Sequence, residues 1–161
     1  MATPLAYTAR YSYPVAAVRA AFADEQYWKD RIAEVGGEKA RLDSVTVDGD
    51  RVEIEMVQVI AAELLPAAIT AVRPGDLVIP RTEIWTGDSA TFTARVDGAP
   101  AEVRGTITVT GDGSGSVAQT KGRIEVKIPL FGGKIEAAIA ERLTELLTNE
   151  EEFTNNWLAK H

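Results

Sequence analysis

At 161 residues the chain has the length of one domain, large enough to bury ~70% of its unfolded surface. A net charge of −7 and the absence of any basic patch exclude the electrostatic footprint of a nucleic-acid binder and disfavour adsorption to anionic membranes. With no cysteine there is no disulfide framework, thiolate nucleophile or zinc–thiolate site.

Residues 4 to 12 alternate, with Leu5, Tyr7, Ala9 and Tyr11 on one face and Thr8, Arg10 and Ser12 on the other, as in a half-buried strand. Met1-Ala2-Thr3-Pro4 ahead of it lacks the cationic and apolar segments of a signal peptide. Pro14 suits the first turn of a helix, and Val15, Val18 and Phe22 follow at helical spacing. Asp24 can cap a second short helix whose apolar side is Tyr27, Trp28, Ile32 and Val35 and whose stop is Gly36-Gly37. The period then changes to two. Leu42, Val45 and Val47 form a strand, Asp48-Gly49-Asp50 a hairpin turn, and Val52, Ile54 and Met56 the returning strand. Residues 60 to 73 break the alternation and predict a short helix or broad loop around Pro66. Further strands are expected over 77–86, 91–96, 103–110 and 117–128, separated by turns rich in Gly and Asp.

The last stretch, 130–158, has no proline and no glycine beyond Gly132-Gly133. Ile135, Ile139, Leu143, Leu146, Phe153 and Trp157 fall on one face, and Glu141, Thr144, Glu145 and Thr148 on the other. An amphipathic helix over about 133–158 would be ~40 Å long and must bury its stripe against the rest of the chain. No apolar run approaches the ~20 residues of a membrane span. The expectation is a single cytoplasmic domain over 1–161 without stable membrane insertion. Its elements are one strand, two short helices, six antiparallel strands and one long closing helix. The fold class is therefore α+β, a curved seven-stranded antiparallel sheet wrapped around the C-terminal helix.

That order resembles the helix-grip fold of the START and birch-pollen-allergen superfamily (SRPBCC; polyketide cyclase/dehydrase and lipid transport). Within it the chain resembles an uncharacterised actinobacterial family, through Thr82-Glu83-Ile84-Trp85-Thr86, Lys127-Ile128-Pro129-Leu130-Phe131-Gly132-Gly133-Lys134-Ile135-Glu136, and Glu150-Glu151-Glu152-Phe153 followed by Trp157-Leu158. The resemblance implies a cavity between helix and sheet that holds a hydrophobic or amphipathic small molecule; the expectation for this chain is a lipid-like or polyketide-like ligand and no cofactor.

The residues themselves offer no nucleophilic triad, since the only histidine is the terminal His161. No His/carboxylate cluster has metal-ligand spacing, and the glycine run at 111–115 lacks the Lys-Ser/Thr of a phosphate loop. Three features remain. Alternation places Arg81, Glu83 and Trp85 on one face and Thr82 and Ile84 on the other. Either the charged face looks into the cavity with Trp85, or Ile84 faces in and the charges meet solvent, the commoner arrangement. Glu150 lies in the middle of the apolar stripe, so the helix bends or frays near Thr148-Asn149 or the carboxylate meets a cation or ligand. The aromatics Tyr7, Tyr11, Trp28, Phe92 and Trp157 suit a pocket for an amphipathic ligand as well as they suit a core.

The cavity candidates are thus Tyr7, Tyr11, Trp28, Ile54, Met56, Arg81, Glu83, Trp85, Phe92, Ile107, Phe131, Ile135, Ile139, Leu143 and Glu150. Gly132 and Gly133 stand at one end of the cavity, as a lid or as a tight corner requiring φ > 0. The leading expectation is a small-molecule binder without catalytic residues. The alternatives are an enzyme of the cyclase or hydro-lyase type using Glu83 or Glu150 with a pKa raised by burial, and an interaction module whose acidic Glu150-Glu151-Glu152 meets a basic partner.

Overall fold

The computed structural model describes residues 2–72 and 74–161. In chain order it contains β1 (Ala2–Tyr11), α1 (Val15–Phe22), α2 (Glu25–Val35), β2 (Arg41–Asp48), β3 (Arg51–Ile60), a single 3₁₀ turn (Ala62–Leu64), α3 (Ala67–Val72), β4 (Leu77–Thr86), β5 (Ser89–Arg95), β6 (Ala101–Asp112), β7 (Gly115–Val126) and α4 (Gly132–Lys160). All seven strands form one sheet in the order β1-β7-β6-β5-β4-β3-β2, and every pairing is antiparallel. This is the helix-grip fold that the element order predicts.

The strands run further into the turns than side-chain pattern predicts. Gly111 pairs with Ser116 and Asp112 with Gly115, so the turn shrinks to Gly113-Ser114. Glycine and aspartate read as turn formers, yet ladder pairing needs only their backbone groups. The short helices follow their local signals. Pro14 is the N-cap of α1, and the Asp24 carboxylate accepts from the Gln26 amide at 2.9 Å to cap α2.

A tight crease runs through β6 and β7. Gly105 and Gly122 face one another across the pair, and a Cβ at either position would lie 2.2 Å from the Lys121 carbonyl oxygen or 2.4 Å from that of Arg104. No other residue fits there, which lets the sheet curl around α4. The inner face of the curl carries Leu5, Ile54, Met56, Trp85, Phe92, Val103, Ile107 and Ile124, all buried. Glu55, Thr91, Thr93, Arg104, Thr106 and Thr108 lie on the exposed outer face.

The long helix is unbroken over 29 residues. Thr144 and Thr148, whose surroundings could have weakened it, donate their hydroxyls to the carbonyls of Ala140 and Thr144 at 2.9 Å and stay within the helix. Side chains of α4 also lace the helix onto the outer edge of β1. Asn155 accepts from the Ser12 amide at 3.0 Å and donates to the Arg10 carbonyl at 3.0 Å, while Glu151 accepts from the Arg10 amide at 3.2 Å. At the other end the buried Glu136 accepts from the Thr3 hydroxyl at 2.7 Å and the Val126 amide at 2.9 Å.

The corner before α4 is built differently from the sequence expectation. The positive φ belongs to Leu130, at 70°, and to neither glycine. Gly132 is buried instead because a Cβ there would lie 2.5 Å from the Val126 carbonyl oxygen. Gly132→Ala is therefore expected to cost about 1–3 kcal/mol through forced backbone displacement, read as a lowered Tm. An unchanged Tm with slower exchange of a bound apolar probe would restore the lid.

Candidate functional site

Between α4 and the sheet the interior falls into three zones. At the end holding α1 and the 86–89 hairpin, aromatic rings fill the space. Phe22 lies 5.0 Å from Trp85, and Tyr27 packs edge-on against Trp28 at 5.2 Å and Trp157 at 5.3 Å between ring centroids. Trp28 is wholly buried here and donates its indole N–H to the Phe22 carbonyl at 2.8 Å.

The second zone is a buried cluster of charge. The face of β4 bearing Arg81, Glu83 and Trp85 points inward, with exposures of 8%, 2% and 3%. The commoner expectation of solvated charges on that strand is thus overturned, because partners for them arrive from two other elements. Arg31 of α2 meets Glu150 of α4, Nη2 to Oε1, at 2.5 Å. Arg81 donates to Glu83 at 2.7 Å and reaches Glu150 at 3.5 Å. The Trp85 indole donates to the other oxygen of Glu83 at 2.6 Å, and the Gln58 amide to Glu150 at 3.2 Å. Tyr27, in contact with Arg31 at 3.4 Å, passes the chain of hydrogen bonds to Thr154, whose hydroxyl donates to the Glu150 carbonyl at 2.7 Å. The Arg31 guanidinium also lies 4.6 Å above the Trp28 ring, a cation–π contact.

Burial alone would push the Glu150 carboxyl up, but Arg31 and Arg81 outweigh it and hold the group below its usual value of 4.5. That removes the raised pKa which an acid/base role for Glu150 requires. Burial pushes the Tyr11 and Tyr27 phenols up, so both stay neutral. For Glu136 too, the Val126 amide and Thr3 hydroxyl more than offset burial and hold the carboxyl below its usual value. A carboxyl depressed in the folded state stabilises the fold fully above its unfolded pKa and loses that contribution as pH falls through the folded value. Stability is therefore expected to hold from neutral pH to about 4.5 and to fall below it. Tryptophan fluorescence during acid titration follows the loss, and Glu136→Gln should flatten part of the slope.

The third zone is a cavity of about 210 Å³. Its walls include Leu5, Leu77, Ile79, Phe92, Val103 and Ile124 from the sheet and Ile139, Leu143 and Leu146 from α4. Arg81, Gln58 and Thr120 supply polar groups in the wall, and Arg142 sits near the helix surface, paired with Glu145 at 2.7 Å. Val96, Ala101, Ile60 and Leu64 mark the end of the sheet where the cavity lies, and Leu64 is 51% exposed. A smaller space of about 40 Å³ adjoins it and is bordered by Tyr7, Tyr11, Arg31, Arg81, Glu83, Trp85, Ile107 and Glu150. Arg81, Thr120 and Leu147 line both.

Of the sequence candidates, Arg81, Phe92, Ile139 and Leu143 line the larger space, and Tyr7, Tyr11, Glu83, Trp85, Ile107 and Glu150 the smaller. Trp28, Ile54, Met56 and Ile135 are corrected to packed core, for they are buried against neighbouring side chains. Phe131 is corrected to the surface at 52% exposure, because the left-handed turn at Leu130 swings the corner outward. The acidic helix end is no patch: Glu150 is buried, and Glu151 accepts from the Tyr7 hydroxyl at 2.5 Å as well as from Arg10. Arg31, Gln58 and Thr154 were not anticipated. Arg31 had a legible sign, since it interrupts the apolar side of α2 just as Glu150 interrupts that of α4. Among the described residues no group of three His, Asp or Glu could hold a metal, and no helix is long and apolar enough to cross a membrane.

Residues 6–158 match the family described as "Protein of unknown function (DUF2505)". The chain belongs to that family. Uncharacterised proteins of Mycobacterium tuberculosis and Mycobacterium bovis are 31% identical to this DUF2505 chain over 166 residues, covering 96% of it and 95% of the relatives. Among solved structures it is similar to a START superfamily protein from Mycobacterium smegmatis (TM-score 0.58, 12% identity, 98% of this chain and 97% of that one). It is also similar to Ara h 8.0201 (TM-score 0.60, 6% identity, full coverage of both chains). A third likeness is to the di-domain ARO/CYC StfQ from the steffimycin biosynthetic pathway (TM-score 0.64, 8% identity, 99% of this chain and 52% of that one). At these identities the likeness establishes the fold: this DUF2505 chain has the helix-grip architecture of the START superfamily.

Proposed function

We propose that the chain binds a hydrophobic or amphipathic small molecule, lipid-like or polyketide-like, in the space between α4 and the sheet. The observation that carries this reading is the contrast between the two ends of the same gap. One end is filled by interlocking aromatics, while the other holds an apolar-walled space of about 210 Å³. Protein interiors are packed to near-crystalline density with few voids larger than a water molecule, so a space of this size is not ordinary core. At some tens of Å³ per atom, it admits on the order of ten non-hydrogen atoms. The fold supports the same reading, since helix-grip neighbours include aromatase/cyclases such as StfQ. Binding rather than turnover is favoured because Glu150 is locked between two guanidiniums and held as a carboxylate.

Native mass spectrometry of protein purified from its own host tests the proposal. A reproducible co-purifying small-molecule mass supports it. A bare protein that also fails to bind N-phenyl-1-naphthylamine, a neutral apolar fluorophore, overturns it.

A further inference from the structure

The charged cluster carries more than a link between α2, α4 and β4. Every carboxylate oxygen has a donor: those of Glu83 take one each, from Arg81 and Trp85, and those of Glu150 one or more, from Arg31, Arg81 and Gln58. Not every donor has an acceptor. Nε of Arg31 and Nε of Arg81 are buried and have no hydrogen-bond partner among the described residues. The side chains are themselves 7% and 8% exposed. Arg81 is further held to Glu150 only at 3.5 Å, beyond the ordinary range for such a bond, so one arm of its fork is loose. Two arginines face two glutamates, and the cluster carries no surplus charge. Arg81 lines both spaces and Arg31 borders the smaller.

We propose that this cluster is the head-group end of the binding site and selects a neutral hydrogen-bond acceptor, such as a ketone or ester carbonyl, on an apolar skeleton. The inference rests on the binding function proposed above. A carboxylate head would bring a third negative charge into a balanced, desolvated group and would have to displace Glu83 or Glu150 from its arginine. An ammonium head would likewise bring a third positive charge into the same balanced, desolvated group. A pure hydrocarbon would leave the two N–H groups unsatisfied, whereas a carbonyl oxygen satisfies one without disturbing the balance.

The test displaces N-phenyl-1-naphthylamine from the wild-type protein at pH 7 with four ligands on one chain length: nonane, 2-nonanone, nonanoate and nonylammonium. The same series is run on a variant with the cluster made apolar, Arg31→Met, Arg81→Met, Glu83→Leu and Glu150→Leu, checked for folding by circular dichroism. In the wild type, 2-nonanone is expected to displace the probe at concentrations at least tenfold below those of nonanoate and nonylammonium. Its advantage relative to nonane should fall at least fivefold in the variant. Any greasy cavity disfavours charged heads, so the change between the two proteins is the deciding quantity. The same ranking and spacing in both would overturn the inference and leave apolar binding standing, as would nonanoate binding tightest to the wild type. Should the variant not fold, Arg81→Met with Glu83→Leu, which removes one charge pair and leaves Arg31 with Glu150, takes its place under the same criterion. If the probe does not bind the wild-type protein at all, the binding function fails and this inference with it.

Discussion

Glu150→Ala is expected to be the most damaging single substitution in the chain, at about 3–5 kcal/mol of folding stability. The carboxylate neutralises Arg31 at 2.5 Å and Arg81 at 3.5 Å and accepts from Gln58 in a position 5% exposed. Without it two guanidiniums remain desolvated and only Glu83 opposes them. A loss of that size is a large fraction of a domain's total stability and is readily measured by urea denaturation with Trp28, Trp85 and Trp157 as internal reporters. Removing one partner differs physically from removing all of them. The fully apolar cluster should recover most of the loss, because no buried charge is then left unpaired. If Glu150→Ala unfolds at the wild-type midpoint, water enters the cluster and the buried-charge account is wrong.

Ile139→Trp is expected to give the largest change in binding with little change in stability. Ile139 is buried on the sheet side of α4 and lines the larger cavity across from Phe92 and Val103. An indole there has room to enter the space, so the Tm should move by no more than a degree or two while affinity for N-phenyl-1-naphthylamine falls more than tenfold. In a filled core the same substitution would overpack and cost about 1–3 kcal/mol. A variant strongly destabilised, from a parent that binds no probe, would end the ligand-binding function.

Much of the fold was written in local pattern. Period-two alternation located the strands, Asp24 and Pro14 located the starts of the short helices, and the stripe from Ile135 to Trp157 located α4 within a few residues of its observed ends. The charged cluster was only half legible. Alternation along Arg81-Thr82-Glu83-Ile84-Trp85 defines two faces but cannot say which is inner, and the rule that exposed charges are commoner points the wrong way. The deciding information is long-range: Arg31 lies 50 residues before Arg81 in the chain and Glu150 lies 69 after it, and the three meet only in the folded protein. Two opposite charges, each inside an apolar stripe of a different helix, form a pattern that could have paired them. Phe131 was misplaced for a local reason, because no residue type announces a leucine at φ 70°.

The lacing of α4 onto β1 has a consequence for self-association. A strand at the margin of a sheet offers unpaired amides and carbonyls to other chains, but here Asn155 and Glu151 already occupy those of Arg10 and Ser12. Among the described residues no strand pairs with the outer side of β2, at the opposite margin. That margin, rather than the Arg10 end of β1, is where another chain would first meet unpaired backbone groups.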